Sequence, residues 1–293
     1  MTTLDTYNAI GRSYSTQRQP DPRLAARLDA LIGDSTVLNV GAGTGSYEPV
    51  RSGVVAVEPS TVMLSQRLPS AAPAVRAAAE ALPFQDRAFE VVLAILTVHH
   101  WNDQRRGLQE CARVARDRVV ILTWDPDADG FWLVRDYFPE ILDIDRRIFP
   151  PIDLFTAVLG PIDVQPLPIP GDCVDGFLGA YWQRPEAYLD EKVRAGISTF
   201  SRLASIDRQL ECLERDLTSG DWERRNAELR HRADLDLGYR LVTAERRCAG
   251  LHTNIAADKH FSDGASPPPV ASADQQDAAM RCSLPVNHEK EGK

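Results

Sequence analysis

The sequence predicts an α/β fold, a doubly wound and largely parallel sheet with a helical cap inserted late in the chain. Three observations point there. Short apolar runs alternate with helical patterns from about residue 20 to residue 125, the order that strands joined by crossover helices require. The runs are apolar at nearly every position, which suits strands buried on both faces rather than a one-sided sheet. The first run stops at Gly41-Ala42-Gly43-Thr44-Gly45, a sharp turn at the end of a strand.

Pro22 opens a helical pattern in which Leu24, Leu28 and Leu31 share a face, ending near Gly33. Thr36 to Val40 then reads as a strand, with a helix expected after the glycine loop. VVAVEPS at 54–60 is a second strand stopped by an acid and a proline, and residues 61–68 suit a short helix. Ala74 to Ala77 is a short strand and Phe89 to Leu96 a strongly apolar one. Asn102 or Asp103 caps the next helix, which gathers Leu108, Cys111, Ala112 and Ala115 on one side, and Val119 to Thr123 follows as a strand.

Beyond Trp124 the rhythm changes. Residues 126–232 are rich in aromatics, prolines and charges, with one convincing strand near Ile162 to Ile169; the closing run Leu235 to Arg246 returns to the sheet. The expected organisation is an N-terminal segment over 1–19, a main domain over 20–248 with its helical cap at about 126–160 and 171–232, and a tail over 249–293. That tail carries Pro267-Pro268-Pro269 and few large apolar residues, so it cannot bury enough to offset its ordering entropy and is expected to be disordered.

Composition removes several classes of function. Acidic residues outnumber basic ones 42 to 33, for a net charge of -9, which argues against a nucleic-acid partner or an anionic membrane surface. No run of about 18 apolar residues occurs, and the start MTTLDTYNAI has no secretory pattern, so the expectation is a cytoplasmic chain without membrane insertion. The five cysteines form no C-x-x-C pair and the six histidines no H-E-x-x-H, so no metal site is expected.

The chemistry concentrates at the glycine loop and at Glu58, which closes the next strand. Glycines let the backbone turn tightly and approach a ligand closely, and a helix beginning after the loop would offer N–H groups to an anion. An acid one strand over accepts hydrogen bonds from a ribose diol. Together they describe a site for a nucleoside-containing cofactor. The dinucleotide fingerprint wants glycine or alanine at its sixth place, where this chain has Ser46.

VLNVGAGTG (37–45), VVAVEPSTVML (54–64), AEALPFQDRAFEVVLAILTVHHW (79–101) and LQECARVARDRVVIL (108–122) resemble, in order and spacing, the class I S-adenosylmethionine (SAM)-dependent methyltransferases, in particular the ubiquinone-biosynthesis-like group. The resemblance implies a Rossmann-like sheet and SAM as cofactor. It places Gly41, Ala42, Gly43 and Gly45 along the methionine portion, Glu58 and Pro59 at the ribose, Met63 with Ala79 and Glu80 around the adenine, and Ala94, Ile95 and Leu96 beside the sulfonium. Met63 equally suits a helix core. The YNAIGRSYSTQR segment (7–18) resembles the family's leading lid, which implicates Tyr7, Tyr14 and Arg18, although an amphipathic helix docking by its aromatics reads the same way. Two departures stand out. Asn39 occupies the place of an acid before the loop, and Ala78 replaces an adenine-binding aspartate.

The function implied is methyl transfer to a small-molecule acceptor by in-line displacement, at an oxygen, nitrogen or carbon that the sequence leaves undecided. His99 and His100 follow the fourth strand on the acceptor's side and are the candidate bases; a packing role beneath Trp101 is the alternative. The aromatics of 124–188 suit an apolar or planar acceptor, or else the core of the helical cap. Two other functions stay open, methylation of RNA or protein and a SAM-binding regulatory protein without catalysis; the oligomeric state is unspecified.

Overall fold

The computed structural model describes residues 18–246. Its main sheet contains β1 (Val37–Val40), β2 (Val54–Val57), β3 (Ala74–Val75), β4 (Phe89–Ile95), β5 (Ala115–Trp124), β6 (Asp163–Pro166) and β9 (Tyr239–Glu245), in the order β3-β2-β1-β4-β5-β9-β6. The first five strands pair in parallel, while β9 runs antiparallel between β5 and β6. Two short strands, β7 (Ile169–Pro170) and β8 (Asp234–Leu235), pair apart from it. The chain reverses between β1 and β4, the switch point at which open α/β sheets leave a crevice.

Helix α1 (Pro22–Ile32) begins where Asp21 accepts a hydrogen bond from the Arg23 amide, and it buries Leu24, Leu28 and Ile32 at helical spacing. A one-turn helix, α2 (Thr61–Ser65), follows β2 and is capped by Ser60; α3 (Gln104–Val114) is capped by Asp103. The later helices are α4 (Trp132–Asp136), α5 (Pro139–Ile148), α6 (Ile152–Leu159), α7 (Glu191–Ala195), α8 (Asp207–Ser219) and α9 (Asp221–Asn226). Leu108 and Cys111 of α3 and Phe155 and Leu159 of α6 pack with Leu38, Val92, Ile121 and Val242 in one apolar cluster beside the sheet.

Several boundaries differ from expectation. No helix follows the glycine loop: residues 41–53 form turns that lead directly into β2. Pro49 and Gly53 punctuate the connection between the glycine loop and β2. Strand β5 begins at Ala115 because its charged start is held outside the core, with Arg116 paired to Glu90 and Arg118 donating to the Leu31 carbonyl at 2.7 Å. An apolar-run criterion misses such a strand. The last run splits at Gly238, whose φ of +90° separates β8 from β9.

The aromatics of the later segment divide between two places. Trp132 is fully buried and meets Tyr137, Tyr188 and Trp222 edge to face, while its indole N–H donates to the Trp182 carbonyl. These rings are the core of the helical layer. A smaller group, described below, faces the sheet's carboxyl edge.

Candidate active site at the switch point

A cleft of about 1110 Å³, open solvent at its mouth included, lies across the ends of β1, β2 and β4. Gly41 and Gly43 turn the loop at φ of +71° and +53°. A Cβ on Gly41 would fall 2.0 Å from Thr97 Oγ1, whereas one on Gly43 would meet nothing within 4 Å. The first glycine therefore lets the loop pack on the end of β4, and the second keeps the cradle open.

Glu58 ties this loop to β2. One carboxylate oxygen accepts the Gly43 N–H at 2.9 Å and the other the Ser60 N–H at 2.8 Å. Each oxygen retains acceptor capacity toward the cleft. Burial pushes the Glu58 carboxyl above its ordinary range, against the opposing effect of those two amides and of Arg67. Met63, only 2% exposed, lies with Pro59, Ala78, Ala79 and Glu80 along one end of the cleft, while Ile95 and Leu96 wall the other.

The acid absent at position 39 reappears nine residues later. Asn39 donates to Glu48 Oε2 at 3.2 Å, and Arg67 Nη2 clamps both Glu48 oxygens at 2.7 and 2.9 Å. The Ala72 amide adds a further bond to Glu48, and Arg67 reaches the Gly43 carbonyl. This buried pair braces the turns that stand in place of the expected helix. Nothing local marks Glu48 or Arg67 in the sequence, because their roles depend on partners many residues away.

Arg18 reaches the cleft from the N-terminal side. Its guanidinium donates to both oxygens of Asp175 at 2.7 and 3.2 Å, and Tyr47 donates to the same carboxylate at 2.9 Å. Asp172 pairs with Arg23, and the Val174 amide donates to Asp21. The GDCVDGF turn thus closes against the segment that leads into α1. Tyr7 and Tyr14 lie outside the described residues, as does the expected tail. Gly45 and Ala94 stand behind the cleft wall: Gly45 faces Arg67 and Glu48, and Ala94 is in the core.

A second cleft of about 570 Å³, measured in the same way, adjoins the first and shares Arg18, Leu96 and His100 with it. Its apolar wall includes Trp124, Phe149, Phe177 and Tyr239. His99 belongs to this cleft, stacked on Phe149 with 4.0 Å between ring centroids. Burial, reinforced by Arg202, pushes His100 down to about 3; burial, with His100 and Arg202, holds His99 well below its ordinary range. Both imidazoles are neutral at neutral pH. Leu96, the hinge between the clefts, holds φ at +47°, a conformation that side chains other than glycine seldom adopt.

A mostly parallel sheet with a glycine loop at its switch point and a buried acid just after the neighbouring strand is the arrangement with which α/β proteins hold nucleoside-bearing ligands. Comparison with known proteins narrows the class. Residues 38–123 match the family described as "Methyltransferase domain". A crystal structure from Anabaena variabilis, ascribed to a methyltransferase of an antibiotic biosynthesis pathway, is 34% identical, with a TM-score of 0.70 over 78% of this chain and 98% of its own. The chain belongs to the class I SAM-dependent methyltransferases. The uncharacterized protein YafE of Escherichia coli (strain K12) is 32% identical over 68 residues, 23% of this chain and 32% of YafE. A SAM-dependent methyltransferase of Thermotoga maritima is 14% identical, with a TM-score of 0.46 over 83% of this chain and 94% of its own. Among the described residues, no helix is long and apolar enough to cross a membrane, and no group of three or more His, Cys, Asp and Glu is placed to hold a metal.

Proposed function

We propose that the protein transfers a methyl group from SAM to a small-molecule acceptor. The observation that carries this reading is the junction of two clefts at the end of β4, one with a glycine cradle and buried acid, the other walled by aromatics. The residues present suit the cofactor. Gly41, Ala42 and Gly43 offer an open cradle for its methionine portion, with Asn39 beside them in the lining and Gly45 behind it. Glu58 presents acceptors to the ribose hydroxyls, while Pro59, Met63, Ala79 and Glu80 surround the adenine. When bound, SAM supplies a methyl group on a sulfonium, the electrophile of an in-line displacement.

The chain's own part is then to position, to orient and to exclude water. Ile95 and Leu96, carried on from the buried strand at Ala94, set the wall between donor and acceptor. Arg18, fixed by Asp175, closes the N-terminal side, with Tyr7 and Tyr14 on the segment leading to it. His99 and His100 are so weakly basic in this setting that we assign them to the shape and hydrogen bonding of the acceptor cleft rather than to proton removal. A cleft walled by aromatic side chains favours a small acceptor over a macromolecule.

Isothermal calorimetry with S-adenosylhomocysteine tests the reading. Wild type should bind at tens of micromolar or tighter, and Glu58→Ala should lose at least about tenfold, or about 1.4 kcal/mol. Absence of binding to wild type at about 1 mM sinks the proposal. Binding without methyl transfer to any member of a small-molecule acceptor library would instead favour a non-catalytic SAM-binding protein.

A further inference from the structure

The acceptor cleft contains a buried carboxyl, Asp145, and a cation, Arg202, that do not meet. Asp145, on the buried side of α5 with Ile141, is 1% exposed, and its Oδ1 has no hydrogen-bond partner. Arg202 lines the same cleft from the turn Phe200–Arg202 and is half-buried. Among the described residues it forms no ion pair within 4.0 Å, although its charge acts on Asp145, His99 and His100. A buried carboxyl without a donor is costly, and so is a cation withdrawn from water without a partner. Buried titratable groups of this kind in a cleft mark a candidate ligand site.

The surroundings limit what that ligand can be. The histidines nearby are neutral, so they neither neutralise Asp145 nor compete with Arg202 for an anion. The rest of the lining combines Arg18, whose guanidinium is already held by Asp175, and the polar residues Ser198 and Thr199 with an aromatic wall of Trp124, Phe149, Phe177 and Tyr239, the last with its hydroxyl already accepting the Gly179 amide at 3.1 Å. A purely hydrophobic molecule would leave both polar groups uncompensated. A simple amine would satisfy only Asp145, and a simple carboxylate only Arg202.

We infer that the acceptor is a small aromatic aminocarboxylate, its nitrogen donating to Asp145, its carboxylate seated at Arg202 and its ring against Phe149 and Phe177. This rests on the methyltransferase reading, since it assigns the second cleft to the acceptor. Asp145 and Arg202 are then specificity residues. A site built for two polar groups rejects analogues that lack either one, because the buried partner is left unpaired.

The test uses the full chain saturated with S-adenosylhomocysteine. L-Phenylalanine, L-tyrosine and L-tryptophan are titrated by calorimetry, each beside its amine-only analogue (phenethylamine, tyramine, tryptamine) and its carboxylate-only analogue (the matching arylpropanoate). At least one amino acid should bind about tenfold or more tighter than both of its analogues. Asp145→Asn should reduce that amino acid to the level of its arylpropanoate, and Arg202→Gln to the level of its amine. Both variants should bind S-adenosylhomocysteine within about threefold of wild type, which shows that they fold. The inference is overturned if no amino acid binds, if all three members of each trio bind alike, or if the variants weaken them equally. If wild type does not bind S-adenosylhomocysteine, the methyltransferase reading fails first and takes this one with it.

Discussion

Asp145 carries a thermodynamic signature that can be read without any ligand. Burial, only partly countered by Arg202, raises its carboxyl from an ordinary 3.8 to about 7. Between these limits the folded chain holds a proton that the unfolded chain has released, so this group's contribution to stability falls as pH rises and reaches its minimum above about 7. Asp145→Asn removes the titration while keeping the shape. The variant should match wild type in melting temperature near pH 4 and become progressively more stable toward pH 8, by an amount on the order of 2–4 kcal/mol. A melting-temperature difference that does not change with pH would show that the carboxyl is solvated. Residues of this kind are hidden in the sequence: Asp145 sits in the charged stretch Asp143 to Arg147, and only the packing of α5 separates the buried acid from its exposed neighbours. Glu58 was legible as an acid at a strand end beside a glycine loop, and the structure does join it to that loop through the Gly43 amide.

At the level of elements, the first crossover is where local rules succeeded least. Glycine spacing identified the cradle, but the helix expected after it is absent, and its structural task falls to the buried pair Glu48–Arg67. Their side chains are 4% and 6% exposed, so removing one partner strands the other's charge. Arg67→Met is expected to cost about 3–5 kcal/mol in urea unfolding, and adding Glu48→Gln should restore a substantial part of that loss. Strictly additive effects would mean that the two act independently. The strands themselves were readable in the parallel core, where burial on both faces writes continuous apolar runs such as Phe89–Ile95. They were less readable at β5 and β8, where charged residues or a glycine interrupt the pattern. The second cleft was legible only in part. Its histidines lie next to a strand end, whereas Phe149, Arg202 and Tyr239 come from three later segments that only the tertiary fold brings together.

For the whole molecule, the decisive arrangement is the position of the last strand. β9 is central, matched to β5 from Arg118 opposite Glu245 to Trp124 opposite Tyr239, and to β6 on its other edge. A chain ending at residue 233 would leave the apolar end of β5, Val119 to Trp124, as an open sheet edge and is expected to accumulate as aggregate. A chain ending at Arg246, where the compact unit ends, should remain monodisperse on gel filtration with a cooperative unfolding transition. Equal solubility of the two truncations would show that β9 is dispensable. The same placement sets a timetable for biosynthesis. The ribosome must deliver nearly all of the folded region before the gap beside β5 can be filled, so the nascent sheet waits with a sticky border exposed through much of translation. Chaperone capture during that interval, rather than the folding of the earlier parallel strands, is the step at which cellular yield would be decided.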